Sequence, residues 1–369
     1  MSAVTTIAIP TSQGEVPYHL AEGALERLAG LIGDTLMDGR AFVVTDETVG
    51  PLHGRLAAEL IGAGCLELPT GEDSKNWTSV ERVVRWLVEG RVERADVVVA
   101  VGGGVVTDIA GFAAAITLRG LPWVAVPTTL LGMVDAAIGG KTGVDLESGK
   151  NLIGCFWQPR AIIADPLVLA TLENRQLRAG LAEVVKAALI SPSTLEAVVD
   201  SHLQAAAGGD LGRLRDLVAG AVRLKAELVA LDERDGGARA ALNLGHTLGH
   251  ALEAAGGYCR FLHGEAVAWG LLAGLALARE RGLLATSEAR SWAGRIGALA
   301  PLPALNGLHW PVVASFMGRD KKRRGGQIQW VLPRLGGVAL AVAVEGADVE
   351  SVYRRLQALP PDGPFTSLF

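Results

Sequence analysis

The chain has 369 residues, enough for two domains of ordinary size, and half of these residues are apolar. Charged residues make up 20% of the sequence, which together with the apolar content excludes a disordered chain. The formal net charge is −5, and the sequence shows no basic face of the kind that binding of nucleic acid requires.

The first part of the chain alternates between predicted strands and predicted helices. Apolar and β-branched runs predict strands at residues 41–45, 97–101, 123–126 and 161–164. Helical patterns follow at residues 51–63 and 105–116. This alternation is typical of a parallel sheet covered by helices, and ligands bind such sheets at the carboxyl ends of the strands.

The composition changes near residue 170. Alanine and leucine dominate from there, and helical periods follow one another to about residue 299. Two prolines, Pro301 and Pro303, then mark a loop before a predicted strand pair at residues 327–332 and 338–344 and a last helix. We therefore predict an α/β domain at residues 1–170 and a mostly helical domain at residues 171–369, with the functional site in the cleft between them.

Nothing in the sequence predicts export or insertion into a membrane. The cysteines Cys65, Cys155 and Cys259 form no Cys-x-x-Cys motif, and we interpret them as reduced thiols of a cytoplasmic protein. The first residues lack a basic segment followed by an apolar one, so no secretory signal is expected. The longest strongly apolar helical stretch, residues 266–278, is too short to span a bilayer.

A glycine turn formed by Gly102, Gly103 and Gly104 ends a predicted strand and precedes a helix. Glycines allow a ligand to approach the backbone, and a helix N-terminus presents N–H groups to a phosphate. A tight turn without a ligand explains the pattern equally well, because the G-x-G-x-x-G motif is absent. Thr128 and Thr129, which follow another apolar run, could likewise bond a nucleotide or cap the next turn.

A second glycine-rich segment carries Lys141 and Lys150. It reads Gly-Gly-Lys-Thr-Gly at residues 139–143 and Gly-Lys-Asn at residues 149–151. Two lysines near a backbone that we expect to be mobile suit a phosphate site. The P-loop spacing is absent, however, and an exposed basic loop is the simpler interpretation of this segment alone.

Three of the seven histidines fall within residues 246–263. His246 and His250 are four residues apart and share one face of a predicted helix, and His263 follows. Histidines so placed hold a metal, or one ligates while the other moves protons. Asn243 and Arg239 are expected on the same side as His246. Structural histidines with no metal are the alternative.

Glu183 and Lys186 are three residues apart on a predicted helix that is otherwise apolar. A surface ion pair is the usual interpretation of this spacing. The apolar flanking residues favour partial burial instead, and a buried carboxylate needs a cation or a metal.

Taken together, these segments resemble the 3-dehydroquinate synthases of the sugar-phosphate cyclase superfamily. Seven stretches in the family's order carry the resemblance: GGGVVTDIAGFAAAITLRG (102–120), VPTTLLGMVDAAIGGKTGVD (126–145), GKNLIG (149–154), RAGLAEVVK (178–186), LDERDGGARAALNLGHTLGHALE (231–253), LHGEAVAWG (262–270) and RDKK (319–322). Each stretch is weak alone, but the ordered set is highly specific.

The resemblance implies a fold and two cofactors. The fold would be an α/β N-terminal domain with a parallel sheet and an NAD site, followed by a mostly α-helical C-terminal domain that binds a metal. A divalent metal, zinc or cobalt, would be held by Glu183, His246 and His263. NAD would be bound by Asp46, Glu72, Lys75, Gly103, Gly104, Asp108, Thr128, Thr129, Lys141, Lys150 and Thr171.

The substrate that the resemblance implies is a sugar phosphate, 3-deoxy-D-arabino-heptulosonate 7-phosphate. Its phosphate would be held by Lys141, Asn151, Asn243 and Lys321, and by Arg119 reaching across a homodimer interface. Its carboxylate would be bound by Lys225 and Arg239. The residues implied at the reacting hydroxyls and in catalysis are Asp135, Lys141, Lys186 and His250.

The implied reaction oxidises C5 with NAD, eliminates phosphate, returns the hydride and closes the ring to 3-dehydroquinate. The sequence departs from the family pattern at several positions, which are Glu173 in place of a proline, Gln176 in place of an acid, Ala136 and Ala137 where serines are common, and Asp235 in place of a glutamate. The alternatives are another sugar-phosphate cyclase that makes an aminodehydroquinate, an inosose or a valiolone, an NAD-linked metal alcohol dehydrogenase, and a catalytically silent scaffold. Arg239 and Asn243 favour a substrate with a carboxylate.

Overall fold

The computed structural model describes residues 3–36, 39–147, 149–317, 323–324 and 327–369. Lys321, predicted to bind the substrate phosphate, lies outside the described residues. The chain forms two compact units. The first comprises Met1–Glu173 and Lys225–Arg234, and the second comprises Asn174–Leu224 and Asp235–Phe369.

A seven-stranded sheet forms the core of the first unit. The strands of this unit are β1 (Thr5–Thr11), β2 (Gly14–Leu20), β3 (Ala41–Asp46), β4 (Gly64–Leu68), β5 (Val97–Gly102), β6 (Trp123–Pro127), β7 (Lys141–Leu146), β8 (Gly149–Phe156) and β9 (Ala161–Ala164). The sheet has the order β1-β2-β9-β6-β5-β3-β4, and β7 pairs with β8 in a separate hairpin. Its pairings are parallel except for β1 with β2, so the predicted parallel sheet is confirmed.

The register of the central strands places the carboxyl ends of β5 and β6 side by side. Val98 of β5 pairs with Trp123 of β6, and Gly102 pairs with Pro127 at the other end. Both strands are buried along their whole length, as expected for strands covered on both faces. The glycine turn and the two threonines predicted from sequence therefore follow neighbouring strand ends.

The helices of the first unit are α1 (Leu28–Leu31), α2 (Gly33–Leu36), α3 (Arg55–Leu60), α4 (Trp77–Glu89) and α5 (Gly104–Ile116). The single helix predicted at residues 51–63 is wrong in detail, because a wider π-helical turn at Gly50–Gly54 precedes α3. Gly54 lies directly on Thr45, where an added Cβ would be 2.7 Å from the threonine methyl group.

The segment expected to be a mobile basic loop is instead the β7–β8 hairpin. Its glycines allow the two strands to lie unusually close. A Cβ on Gly143 would lie 2.4 Å from the carbonyl oxygen of Ile153, and one on Gly154 would lie 2.2 Å from that of Thr142. Glycine is therefore required here by packing between strands, which the composition alone did not reveal.

The second unit is mostly helical, as predicted. Its helices are α6 (Asn174–Ile190), α7 (Pro192–Ala207), α8 (Leu214–Leu231), α9 (His246–Ala255), α10 (His263–Glu280), α11 (Thr286–Gly297), α12 (Trp310–Met317) and α13 (Gly346–Gln357). Helix α8 runs past Leu224, so its last residues belong to the first unit.

A small antiparallel sheet completes the second unit, formed by β10 (Arg323–Arg324), β11 (Gln327–Arg334) and β12 (Gly337–Val344). The predicted strand pair is therefore confirmed. Helix α10 is buried continuously from Gly264 to Ala278, which explains its apolar sequence as the centre of a helical core. Among the described residues, no helix combines the length and apolarity needed to cross a bilayer.

Candidate functional site

Glu183, His246 and His263 come together in the second unit. Glu183 lies on α6, while His246 and His263 are the first residues of α9 and α10. Oε1 of Glu183 is 4.0 Å from Nε2 of His246 and 3.7 Å from Nε2 of His263. In a four-coordinate zinc site with metal–ligand distances of about 2.0–2.1 Å, two ligand atoms lie roughly 3.4 Å apart. A small inward movement of these three side chains would therefore form such a site.

Glycines bring the three helices into backbone contact at this point. A Cβ on Gly264, the residue after His263, would lie 1.8 Å from the carbonyl oxygen of Ala179, one helical turn before Glu183. A Cβ on Gly270 would lie 1.8 Å from the carbonyl oxygen of Gly245, the residue before His246. The close approach of α10 to α6 and to the start of α9 therefore sets the spacing of the three ligands.

The Glu183 carboxylate is buried, and within the described part of the chain neither of its oxygens accepts a hydrogen bond. The ammonium group of Lys186 contacts Oε2 as an ion pair, and both side chains are at most 3% exposed. The burial that the apolar flanking residues predicted is therefore confirmed, and the pair does not lie on the surface. An unsatisfied buried oxygen is costly, and a cation at Oε1 would satisfy it, so the donor set fits a divalent metal.

Both histidine rings are oriented with Nε2 towards Glu183. Nδ1 of His246 donates to the carbonyl oxygen of Leu244 at 3.0 Å, and Nδ1 of His263 lies 3.2 Å from Oε2 of Glu253. Such contacts fix the ring tautomer and leave Nε2 as the free ligand atom. Burial, together with the Lys186 ammonium and the neighbouring rings, lowers the pKa of His246 well below its usual value. His246 is therefore neutral, as ligation requires.

Glu253 is a residue that the sequence analysis missed. It is buried on α9, seven residues after His246, so the same helical periodicity that joins His246 and His250 also includes it. His250 is exposed, and its ring centroid is 5.1 Å from that of His246 and 6.0 Å from that of His263.

The predicted NAD residues of the first unit include a connected charged cluster. Nζ of Lys75 is 2.6 Å from Oδ2 of Asp108 and 2.5 Å from Oδ1 of Asn151. Nζ of Lys150 is 2.9 Å from Oε1 of Glu72. Burial alone would lower the pKa of Lys75, but the nearby carboxylates, Asp108 foremost, raise it overall, so Lys75 remains charged.

Asp145, which was also missed, holds this cluster together. Its N–H donates to the carbonyl oxygen of Lys75 at 2.8 Å, and its Oδ1 accepts the N–H of Asn151 at 2.7 Å. Asn151 has a φ of 54°, a left-handed conformation that asparagine tolerates better than most residues. Asp145 therefore fixes both partners, and its place in the hairpin between two lysines was the available signal.

The glycine turn is packed against the following threonine segment. A Cβ on Gly103 would lie 3.0 Å from Cγ2 of Thr129, and one on Gly104 would lie 3.2 Å from Cβ of Ala136. Oγ1 of Thr129 accepts the N–H of Gly132, so it caps the next turn. Oγ1 of Thr128 is buried and has no hydrogen-bond partner among the described residues. A turn without side chains, a helix N-terminus and an unsatisfied hydroxyl fit a dinucleotide at this edge.

Two other predicted NAD residues take part in local turns. Oδ1 of Asp46 accepts the N–H groups of Thr48 and Val49 at 2.9 and 2.8 Å. Oγ1 of Thr171 is 2.8 Å from Nε2 of His53 and donates to a backbone carbonyl. Both side chains therefore already serve structural contacts.

Among the predicted substrate residues, Lys225 and Asp135 form a pair in the first unit. Nζ of Lys225 lies 2.5 Å from Oδ1 and 2.6 Å from the carbonyl oxygen of Asp135. Arg239 is buried, and Asn243 ends the same 3₁₀ turn, Ala238–Asn243. These two residues do not continue the His246 helix, because Gly245 at a φ of 78° separates their turn from α9.

Arg119 and Lys141 are exposed in the first unit. Arg119 ends a turn after α5 in which two successive non-glycine residues have positive φ, 49° at Leu118 and 67° at Arg119. Such conformations cost on the order of 1–3 kcal/mol each and concentrate at functional sites.

Residues 65–179 match the 3-dehydroquinate synthase N-terminal family, and residues 180–323 match the 3-dehydroquinate synthase C-terminal family. The chain belongs to the 3-dehydroquinate synthase family. The 3-dehydroquinate synthase of Solibacter usitatus is 41% identical over 91% of this chain and 96% of its own length. That of Rhodospirillum rubrum is 41% identical over 97% of this chain and 95% of its own length.

Solved structures with the same fold include other cyclases. A 2-deoxy-scyllo-inosose synthase complexed with carbaglucose-6-phosphate, NAD⁺ and Co²⁺ is 26% identical, covers 95% of this chain and 99% of its own, and has a TM-score of 0.85. A 2-epi-5-epi-valiolone synthase from Streptomyces hygroscopicus subsp. jinggangensis, with NAD⁺ and Zn²⁺ bound, is 29% identical, covers 97% and 99% of the two chains, and has a TM-score of 0.84.

Proposed function

We propose that this chain converts 3-deoxy-D-arabino-heptulosonate 7-phosphate to 3-dehydroquinate and phosphate, as an NAD- and metal-dependent lyase of the shikimate pathway. The observation that carries the proposal is the convergence of Glu183, His246 and His263 in a member of the 3-dehydroquinate synthase family. A carboxylate and two imidazoles are a catalytic rather than a structural donor set, because a fourth position stays open for substrate.

The metal bound by these three ligands is zinc or cobalt, the ions present in two cyclases of the same fold. When bound, the metal would polarise the substrate hydroxyls and NAD would take a hydride from C5 and return it. The residues proposed to hold NAD are Asp46, Glu72, Lys75, Gly103, Gly104, Asp108, Thr128, Thr129, Lys141, Lys150 and Thr171.

Proton transfer is assigned to two side chains beside the metal ligands, Lys186 and His250. Lys186 is held against Glu183, so its Nζ can donate to a substrate hydroxyl while it neutralises the carboxylate. The exposed ring of His250 can exchange a proton with solvent. Asp135, paired with Lys225, orients a hydroxyl through its carboxylate.

The remaining side chains of the proposed site bind two anionic groups of the substrate, its phosphate and its carboxylate. Lys141, Asn151, Asn243 and Lys321 are proposed to bind the phosphate, and Lys225 with Arg239 the carboxylate. Arginine matches the planar, two-oxygen geometry of a carboxylate better than lysine does, which supports assigning the carboxylate contact to the buried Arg239. Much of the catalysis would then consist of positioning and electrostatic complementarity.

We further propose a cytoplasmic homodimer in which Arg119 reaches the substrate phosphate of the partner subunit. The strained turn that presents this guanidinium supports the proposal. So do the neighbouring apolar side chains of Ile116 and Leu118, which are each 41% exposed in the single chain. Apolar side chains clustered beside a functional residue favour a protein interface.

A second candidate is a cyclase that acts on a sugar phosphate without a carboxylate, favoured by the fold shared with an inosose and a valiolone synthase. The family relatives at 41% identity and the buried Arg239 argue for the carboxylate-bearing substrate. An alcohol dehydrogenase is less well supported, since the structure described as a probable glycerol dehydrogenase from Sinorhizobium meliloti shares only 17% identity, with a TM-score of 0.67.

The proposal is tested by supplying the purified protein, NAD and zinc with either the heptulosonate phosphate or a hexose 6-phosphate. We expect phosphate release from the first and little from the second. Release from the hexose phosphate alone would favour the second candidate. Net reduction of NAD with a simple polyol, without phosphate release, would favour a dehydrogenase.

A further inference from the structure

Glu253 makes a contact that none of the assigned roles uses. Its side chain is buried on α9, and its Oε2 lies 3.2 Å from Nδ1 of His263 on α10. The other ring nitrogen of His263 faces Oε1 of Glu183 at 3.7 Å. A single imidazole thus joins two buried carboxylates through its two nitrogens.

We propose that Glu253 is a positioning residue that fixes the tautomer and ring orientation of His263 and thereby sets the affinity of the metal site. The inference rests on the proposed role of His263 as a metal ligand. An ionised carboxylate only accepts, so Nδ1 must carry the proton and Nε2 must present its lone pair. Carboxylate partners of this kind orient a ligating histidine and raise its basicity.

The two histidine ligands differ in how they are oriented. His246 donates to the backbone carbonyl of Leu244, which no side-chain substitution removes. His263 stands at the start of α10 with its side chain 25% exposed, so packing constrains its ring less, and its Nδ1 contact is with a side chain. Loss of Glu253 should therefore release the ring of His263 and leave that of His246 in place.

A competing interpretation is a second metal site, because ligand atoms of His250, Glu253 and His263 also lie within 4.8 Å of one another. Nδ1 of His263 cannot both donate a proton to Glu253 and ligate a second ion. The observed contact is at hydrogen-bond distance, which favours the positioning role. Zinc stoichiometry separates the two interpretations.

The test measures zinc affinity by competition with a chelator for the wild type and for the variants E253L, E253Q, H263A and E253L/H263A. Leucine removes the acceptor at similar volume, whereas glutamine keeps an acceptor without the charge. We expect E253L to weaken zinc binding about 10- to 100-fold and E253Q to lose less. T247V serves as a control for packing changes in α9, since Thr247 is also buried there.

The double variant supplies the readout that a general packing defect would not give. If Glu253 acts through His263, E253L should cause no further loss of zinc affinity in the H263A background. An equal loss in both backgrounds, wild-type affinity in E253L, or a second zinc ion that requires Glu253 and His250 would overturn the inference. If H263A itself binds zinc like the wild type, the ligand assignment fails and the inference fails with it. If H263A loses zinc while E253L does not, only the inference fails.

Discussion

Replacement of Gly264 by alanine tests whether helix contact builds the metal site. The added Cβ would lie 1.8 Å from the carbonyl oxygen of Ala179, 2.5 Å from its carbonyl carbon and 2.8 Å from its Cα. These atoms are backbone, so no flexible side chain can move aside. Because ordinary contact begins at 3.4 Å, α10 and α6 must separate by about 1.6 Å.

The size of this movement predicts a specific loss of metal binding. Metal–ligand distances are held within roughly 0.2 Å, so a displacement of more than 1 Å between Glu183 and His263 breaks the site. The overlap should also destabilise the fold by about 1–3 kcal/mol or somewhat more, the usual range for an overpacked core. We expect Gly264→Ala to lose most of its zinc affinity, including at temperatures where it remains folded.

A matched control is available on the same helix. A Cβ on Gly274 would be 3.6 Å from Cδ of Pro333 and 3.9 Å from Cδ1 of Leu244, which are ordinary contacts. Gly274→Ala should therefore bind zinc like the wild type, and better helix propensity should raise its stability by up to about 1 kcal/mol. Chelator competition and thermal unfolding measure both quantities. Wild-type zinc affinity in Gly264→Ala, or equal losses in the two variants, would refute the reasoning.

Three further predictions follow from the charged groups. Lys186→Met leaves the buried carboxylate of Glu183 without its counter-charge, so the metal-free variant should be about 3–5 kcal/mol less stable than the metal-free wild type. Zinc should therefore raise the Tm of this variant more than it raises the Tm of the wild type. Equal rises in Tm would contradict this prediction. Arg239→Lys should impair the natural substrate far more than an analogue without the carboxylate, in kcat/KM measurements, and equal losses would contradict the proposed contact. The variants Arg119→Ala and Lys141→Ala should each be nearly inactive alone. Mixed dimers with one subunit of each variant keep one intact site, so randomly paired subunits should recover up to roughly a quarter of wild-type activity. No recovery despite subunit exchange would exclude the shared site.

The fold could be predicted from sequence where a pattern had one physical cause. Continuous apolar runs such as residues 97–101 indicated buried strands, and the structure confirms this one as Val97–Gly102. The hairpin at Lys141–Leu146 and Gly149–Phe156 was not predicted, because its glycines serve contact between strands and carry no alternating pattern. Composition reveals that glycine is present, but not which backbone it faces.

The candidate site, like the fold, could be predicted only in part from the sequence. Histidine spacing and the resemblance pointed to Glu183, His246 and His263, which the structure brings together. Glu253 and Asp145 were missed, since each acts through contacts with residues of other elements or turns that only the folded chain brings together. The burial of Glu183 with Lys186 was also underestimated, because local sequence cannot show which helices cover a given face.

The most direct test of the central claim is the fate of NAD during turnover with 3-deoxy-D-arabino-heptulosonate 7-phosphate. Purified protein loaded with zinc should be given NAD well below the substrate concentration, while phosphate, product and absorbance of NADH are followed together. A carbocycle-forming synthase that returns its hydride predicts one phosphate and one 3-dehydroquinate per substrate, many turnovers per NAD and no accumulation of NADH. Accumulation of NADH in proportion to substrate consumed, with no 3-dehydroquinate formed, would contradict the account.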